Sequence, residues 1–168
     1  DGGRARAVGV SNFGVGHLEE IDAAGLPLPA VNQIELHPWS QKPELIDYME
    51  RKGIRATAYS SLVPLASWRS EEGQKSAKTA EMRAAGERAD SPFRVMAEKY
   101  GGSEAQVLLR WAVQKGFGVI PKSTSQERMR ENLDLFSFEI DALDMAAIER
   151  MDRGGGVAWA AGDPLSTG

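Results

Sequence analysis

Between positions 119 and 132 the sequence VIPKSTSQERMREN ends an apolar run on Lys122 and follows it at once with residues that start a helix. Thr124 and Glu127 stand at capping-box spacing, which predicts a helix beginning there, its free backbone N–H groups directed at whatever Lys122 approaches. Arg128 falls on the first turn of that helix, and Asn132, four residues on, shares its face. Two cations beside a helix start suit a phosphate, and an amide on the same face suits a base edge. The chemistry on offer is the binding of a phosphorylated nucleotide. Lysine and arginine near a helix start are, taken alone, commonly solvated surface charges. What favours a site is repetition: three other strand exits in this chain also carry polar residues, the arrangement by which parallel sheets and barrels build sites.

Other chemistries are poorly served. The 168 residues contain no Cys, which excludes a disulfide framework, thiolate metal sites and a Cys nucleophile. The two histidines, His17 and His37, have no acidic or Cys partners at ligand spacing, so no metal centre is expected. A net charge of −4 argues against a nucleic-acid partner, and no apolar run of about 18 residues offers a membrane span. The chain starts at Asp1 and enters a strand within a few residues, which reads as a piece of something longer.

The elements that must position these residues follow from periodicity and punctuation. Ala5 to Val10 reads as a short buried strand, followed by a helix from about Val15 to Ala24 that Gly25 ends. Pro29 to Leu36 is a second strand with Asn32 and Gln33 inside it. Pro43 opens a helix through Leu45, Ile46 and Met49, which Gly53 closes. Ile54 to Tyr59 and Gly118 to Ile120 are the third and fourth strands. Between them, residues 71–90 are rich in Ala, Lys, Glu and Arg and read as an exposed excursion, either a surface helix or a mobile segment. Pro92 restarts order with a short helix. Ser103 and Gln106 then form a capping box ahead of a stripe of Ala105, Leu108, Leu109 and Ala112. Asp141 to Met151 is a further helix, and residues 154–168 form an irregular tail.

Four strand–helix units with apolar strands imply parallel pairing under a cover of helices, yet four units do not close a barrel. Such a sheet exposes two edges and an inner face, expected here to be lined by Val8, Val10, Ile54 and Ile120. The chain is therefore expected to need a complement: an N-terminal half-barrel, a second copy of itself, or a larger assembly.

Four motifs, in this order and spacing, resemble the C-terminal half of an aldo-keto reductase: AVGVSNF at 7–13, VNQIELHP at 31–38, AYSSL at 58–62, and IPKS at 120–123 continuing through Arg128 to Glu131 and Asn132. The resemblance covers nearly the whole chain. It implies an α/β fold, the C-terminal half of a TIM (β/α)8 barrel, and a cytoplasmic enzyme that reduces a small-molecule carbonyl to an alcohol by hydride transfer from NADPH.

Carried over by position, Ser11, Asn12 and Gln33 match the residues that hold the nicotinamide carboxamide, and Tyr59 the aromatic that stacks on the ring. Ser60, Ser61 and Leu62 match the loop along the pyrophosphate, where the family often has Pro in place of Ser61. Lys122, Ser123 and Arg128 match the site of the 2′-phosphate, with Glu131 and Asn132 at the adenine. The residue chemistry agrees: planar amides are read by Asn and Gln, a flat ring by an aromatic, and Arg with Lys favours a dianionic phosphate over a ribose hydroxyl. Taken singly, Asn12 could be a helix cap, Tyr59 packing and Gln33 a satisfied core amide.

In the family, a Tyr proton donor, its Lys–Asp pair and a substrate-orienting His belong to the first half of the barrel. No residue of this sequence matches them. His37, in a His-Pro strand exit, reads as structural, and of Tyr48, Tyr59 and Tyr100 only Tyr59 lies at a strand exit. Two functions stay open: the cofactor-binding half of a reductase, or a non-catalytic half-barrel serving as a structural or interaction module.

Overall fold

Strand alternation organises the molecule. In the computed structural model, which describes residues 3–65, 77–88, 90–154 and 164–166, four parallel strands pair in chain order. They are β1 (Gly9–Ser11), β2 (Val31–Glu35), β3 (Arg55–Tyr59) and β4 (Gly118–Val119). The register sets Ser11 beside Gln33, Gln33 beside Thr57, and Thr57 beside Gly118. Because side chains alternate between faces, Asn32, Ile34, Ala56 and Ala58 are buried on one face while Gln33, Thr57 and Tyr59 stay half-exposed on the other.

Among the described residues, the helices pack against the first face. They are α1 (Val15–Ala23), α2 (Pro43–Arg51), α3 (Ala77–Gly86), α4 (Pro92–Tyr100), α5 (Glu104–Gln114), α6 (Gln126–Leu133) and α7 (Ala142–Glu149). Their apolar sides supply Leu18, Met49, Phe93, Leu108, Trp111 and Ile148, which join Ile34 and Ala58 in one core. The expected capping box of α5 is present, with Ser103 Oγ accepting from the Gln106 N–H and Gln106 Oε1 from the Ser103 N–H. Leu108, Leu109 and Ala112 are fully buried as that stripe requires. Gly53 and Gly116 adopt positive φ, 71° and 83°, at the turns that lead from α2 into β3 and from α5 into β4.

Several expectations need correction. The first strand is Gly9–Ser11 rather than 5–10, and residues 3–9 are exposed. As the terminal strand of the sheet it is paired on one side only, so an apolar run gains little burial there. A Cβ at Gly9 would stand 3.2 Å from the Val31 carbonyl oxygen, so a larger residue there would press on β2 by a few tenths of an ångström. The fourth strand stops at Val119. Of the four residues expected on the uncovered face, Ile54 is buried in the core and Val10 packs against it, because both share the parity of Asn32 and Ala56. Val8, 62% exposed, has that parity too, which leaves Ile120, 49% exposed, as the one correctly placed.

Within the expected excursion the described residues form α3, and 71–76 and 89 lie outside the described residues. Of the tail, Pro164–Ser166 form a 3₁₀ turn whose Leu165 packs on the core, while Trp159 lies outside the described residues.

Candidate functional site

The end of β1, the middle of β2 and the end of β3 carry the residues that the motifs single out. Asn12 follows β1 with φ of 59°, in the left-handed region that Asn tolerates better than most residues. Its N–H donates to the Gln33 carbonyl at 3.0 Å, and the Ser11 hydroxyl donates to the same carbonyl at 2.9 Å. The Tyr59 hydroxyl donates to Asn12 Oδ1 at 2.8 Å, bridging from the end of β3 over β2 to the exit of β1. Ser11, Asn12, Gln33 and Tyr59 are thus brought together on the uncovered side of the sheet.

The loop after β3 begins with a second left-handed residue, Ser60, φ 55°. Two residues off the common backbone regions, at the exits of the strands on either side of β2, form the kind of stored strain that collects at functional sites. Ser61 is buried, and its hydroxyl donates to the Ala58 carbonyl at 3.2 Å, so it serves the turn itself. Leu62 packs partly on the core, and its carbonyl accepts from the Leu65 N–H at 3.0 Å.

At the fourth exit the helix cap differs from expectation. Ser125, not Thr124, caps α6, its hydroxyl accepting from the Arg128 N–H at 3.4 Å, and Glu127 closes no capping box. Ser123 decides the register by accepting from the Ser125 N–H at 3.1 Å, a tight hydroxyl turn that carries the chain one residue further before the helix starts. Lys122 and Arg128 are exposed, and neither makes an ion pair among the described residues. Glu131 and Asn132 are half-buried on the same helix.

Two buried polar features mark β2 and its exit. Asn32 is fully buried, accepts from the Phe13 N–H at 3.3 Å and donates to the Phe13 carbonyl at 2.7 Å, so one amide holds both backbone groups of the residue after Asn12. A polar residue at core parity inside an apolar strand was the available signal. His37 and Glu35, also buried, pair at 2.9 Å between Nε2 and Oε1. His37 Nδ1 accepts the Trp39 N–H at 3.3 Å, so Nε2 carries the proton toward Glu35. Burial drives the His37 pKa down, outweighing the upward pull of Glu35. The expected structural role of His37 matches this geometry. Arg153 lies over the Trp39 ring at 3.9 Å and secures the same corner.

Among the described residues no cluster of His, Asp or Glu could hold a metal ion, and no helix is long and apolar enough to cross a membrane.

A sequence profile of the Aldo/keto reductase family matches residues 1–153. The NAD(P)H-dependent D-xylose reductase of Scheffersomyces stipitis is 37% identical over 150 residues, 89% of this chain and 45% of that protein. The crystal structure of Gox0644 in its apo form superposes with a TM-score of 0.76 at 38% identity, covering 99% of this chain and 53% of that one. A Bombyx mori aldo-keto reductase in complex with NADP gives a TM-score of 0.73 at 31% identity over 89% of this chain and 45% of that one. The chain spans about half the length of the curated relatives it matches.

Proposed function

The chain belongs to the aldo/keto reductase family, and we propose that it is the cofactor-binding half of an NADPH-dependent member that reduces a small-molecule carbonyl to an alcohol. The observation that carries this reading is the convergence of Ser11, Asn12, Gln33 and Tyr59 from three successive strands, with Tyr59 bonded to Asn12 and both Ser11 and Asn12 bonded to the Gln33 carbonyl. The residues present fit the cofactor. Asn12 and Gln33 offer half-exposed amides and Tyr59 a half-exposed ring, while Lys122 and Arg128 offer cations with no ion pair among the described residues.

In this reading Ser11, Asn12 and Gln33 hold the carboxamide and Tyr59 stacks on the nicotinamide. Ser60, Ser61 and Leu62 follow the pyrophosphate. Lys122, Ser123 and Arg128 hold the 2′-phosphate, with Glu131 and Asn132 at the adenine. When bound, NADPH supplies the hydride. This chain's residues bind and orient the dinucleotide, and the proton donor comes from the first half of the barrel. A cytoplasmic location belongs to the same reading.

Titration of the purified chain with NADPH and NADH, followed by nucleotide fluorescence, tests the proposal. Saturable binding that prefers NADPH is expected. Absence of binding by either nucleotide at millimolar concentration would leave a half-barrel without a cofactor role, the structural-module reading.

A further inference from the structure

The Asn12 side chain ends in one carbonyl oxygen and one amino group, and a ligand on the uncovered side of the sheet meets whichever the protein does not engage. Oδ1 is engaged: it accepts the Tyr59 hydroxyl proton at 2.8 Å. The main chain around Asn12 is held independently. Its own N–H is bonded to Gln33, and Phe13 is clamped at both N–H and C=O by the buried Asn32. The freedom that remains to Asn12 is rotation of its own side chain, including the flip that exchanges oxygen for nitrogen. The Tyr59 hydroxyl, by donating to Oδ1, restrains it and favours the orientation with Nδ2 outward.

We propose that the Tyr59 hydroxyl is a positioning group that holds the Asn12 amide with Nδ2 as its ligand-facing donor, and so gives the site its selectivity for the carboxamide end of the cofactor. The inference rests on the nicotinamide reading above and deepens it. Tyr59 then has two separable parts: a ring that can stack, and a hydroxyl that orients Asn12. Because the hydroxyl reaches across β2 from the end of β3, the donor's direction is set by the relative placement of two non-adjacent strands rather than by a local turn. Without the hydroxyl the amide turns and presents donor and acceptor alike, so part of the population meets an acceptor ligand with the wrong atom.

Tyr59→Phe keeps the ring and removes the hydroxyl. Asn12→Gly removes the amide while suiting the positive φ. Dissociation constants of the 168-residue chain are measured for NADP⁺ and for adenosine 2′,5′-bisphosphate, which has the 2′-phosphate and adenine but no nicotinamide. Tyr59→Phe is expected to weaken NADP⁺ by about three- to tenfold, to leave the bisphosphate unchanged, and to have no further effect in the Asn12→Gly background. An equal loss for both ligands, no loss for either, or a loss for NADP⁺ that persists without the Asn12 side chain would overturn the proposal while leaving the cofactor site standing. Failure of the wild-type chain to bind either ligand would overturn both. Should Tyr59→Phe not fold, the wild-type chain is titrated with the analogue that carries a carboxylate in place of the carboxamide. A donor at Nδ2 retains that ligand to within about tenfold of NADP⁺, and a larger loss overturns the proposal.

Discussion

Replacing Arg128 by Ala should separate two cofactors that differ only by a phosphate. Arg128 lies in the first turn of α6, exposed and without an ion pair among the described residues, so its removal breaks nothing in the fold that a stability change could disguise. A charge-assisted hydrogen bond is worth about 1.5–3 kcal/mol. Solvent exposure places this one at the lower end, about 1.5 kcal/mol, or roughly tenfold in Kd for NADPH. In place of the phosphate NADH offers Arg128 only a neutral ribose hydroxyl, so its binding should be almost unaffected. Arg130 supplies the control: two residues along the helix it points about 200° away, so Arg130→Ala should leave both constants within about twofold. Since both partners are exposed, the NADPH advantage should shrink between 0.1 and 1 M salt, where the screening length falls from about 10 to about 3 Å. Fluorescence titration of wild type and both variants with each dinucleotide at the two ionic strengths makes the measurement. An equal loss for NADH and NADPH on removing Arg128 would refute the placement of the 2′-phosphate.

Four other outcomes are expected. His37 is held neutral because burial depresses its pKa, so the unfolded chain binds a proton near pH 6.5 that the folded chain refuses. Its contribution is thus full above pH 6.5 and lost as the pH falls through the depressed pKa; thermal melts of His37→Gln should show a flatter loss below pH 6.5, and an unchanged slope would contradict this. Asn32→Ala, which strips both bonds from Phe13, should cost about 2 kcal/mol as a lowered urea midpoint at constant m-value, whereas an unmoved midpoint would dismiss the clamp. The purified chain should show no NADPH-dependent turnover of a test aldehyde, since in the proposed reading the proton donor comes from the first half of the barrel, and turnover free of full-length contaminant would count against that. The uncovered sheet face and the single-sided pairing of β1 and β4 should make the chain associate, so sedimentation that returns a monodisperse, cooperatively unfolding monomer at micromolar concentration would require another way of closing the sheet.

How far the sequence exposes the fold depends on where each signal resides. β2 and β3 are readable because alternation and flanking Pro or Gly are local properties, and both strands are flanked by neighbours that turn alternation into burial. β1 has an equally apolar sequence, but its place at the edge of the sheet is a tertiary fact. Three consecutive hydroxyl residues, Ser123, Thr124 and Ser125, could each begin α6. Which one does is decided by the Ser123 turn, a geometry that spacing alone does not distinguish. The motifs bring Asn12, Gln33 and Tyr59 into one site on paper. The bond that joins Asn12 to Tyr59 spans 47 residues and leaves no local trace. The Glu35–His37 pair, two residues apart on one strand face, was in principle readable, but a search for metal spacing looks past it.

The uneven spacing of the strands along the chain bears on the order in which the sheet is assembled. β1, β2 and β3 pair with partners roughly 20–25 residues away, each closing a short loop, whereas joining β4 to β3 closes one of roughly 60 residues. By the logarithmic dependence of closure entropy that difference adds only about 1 kcal/mol, yet β4 is also the shortest strand, with two residues in register against five for β2 on β3. The first three strands can therefore nucleate as each emerges during synthesis, and the last joins late, on a platform already formed. The cations of the fourth exit, Lys122 and Arg128, ride on that late joiner. In the proposed reading, the nicotinamide end of the site would then form early and locally, and its phosphate end only once the long closure is made.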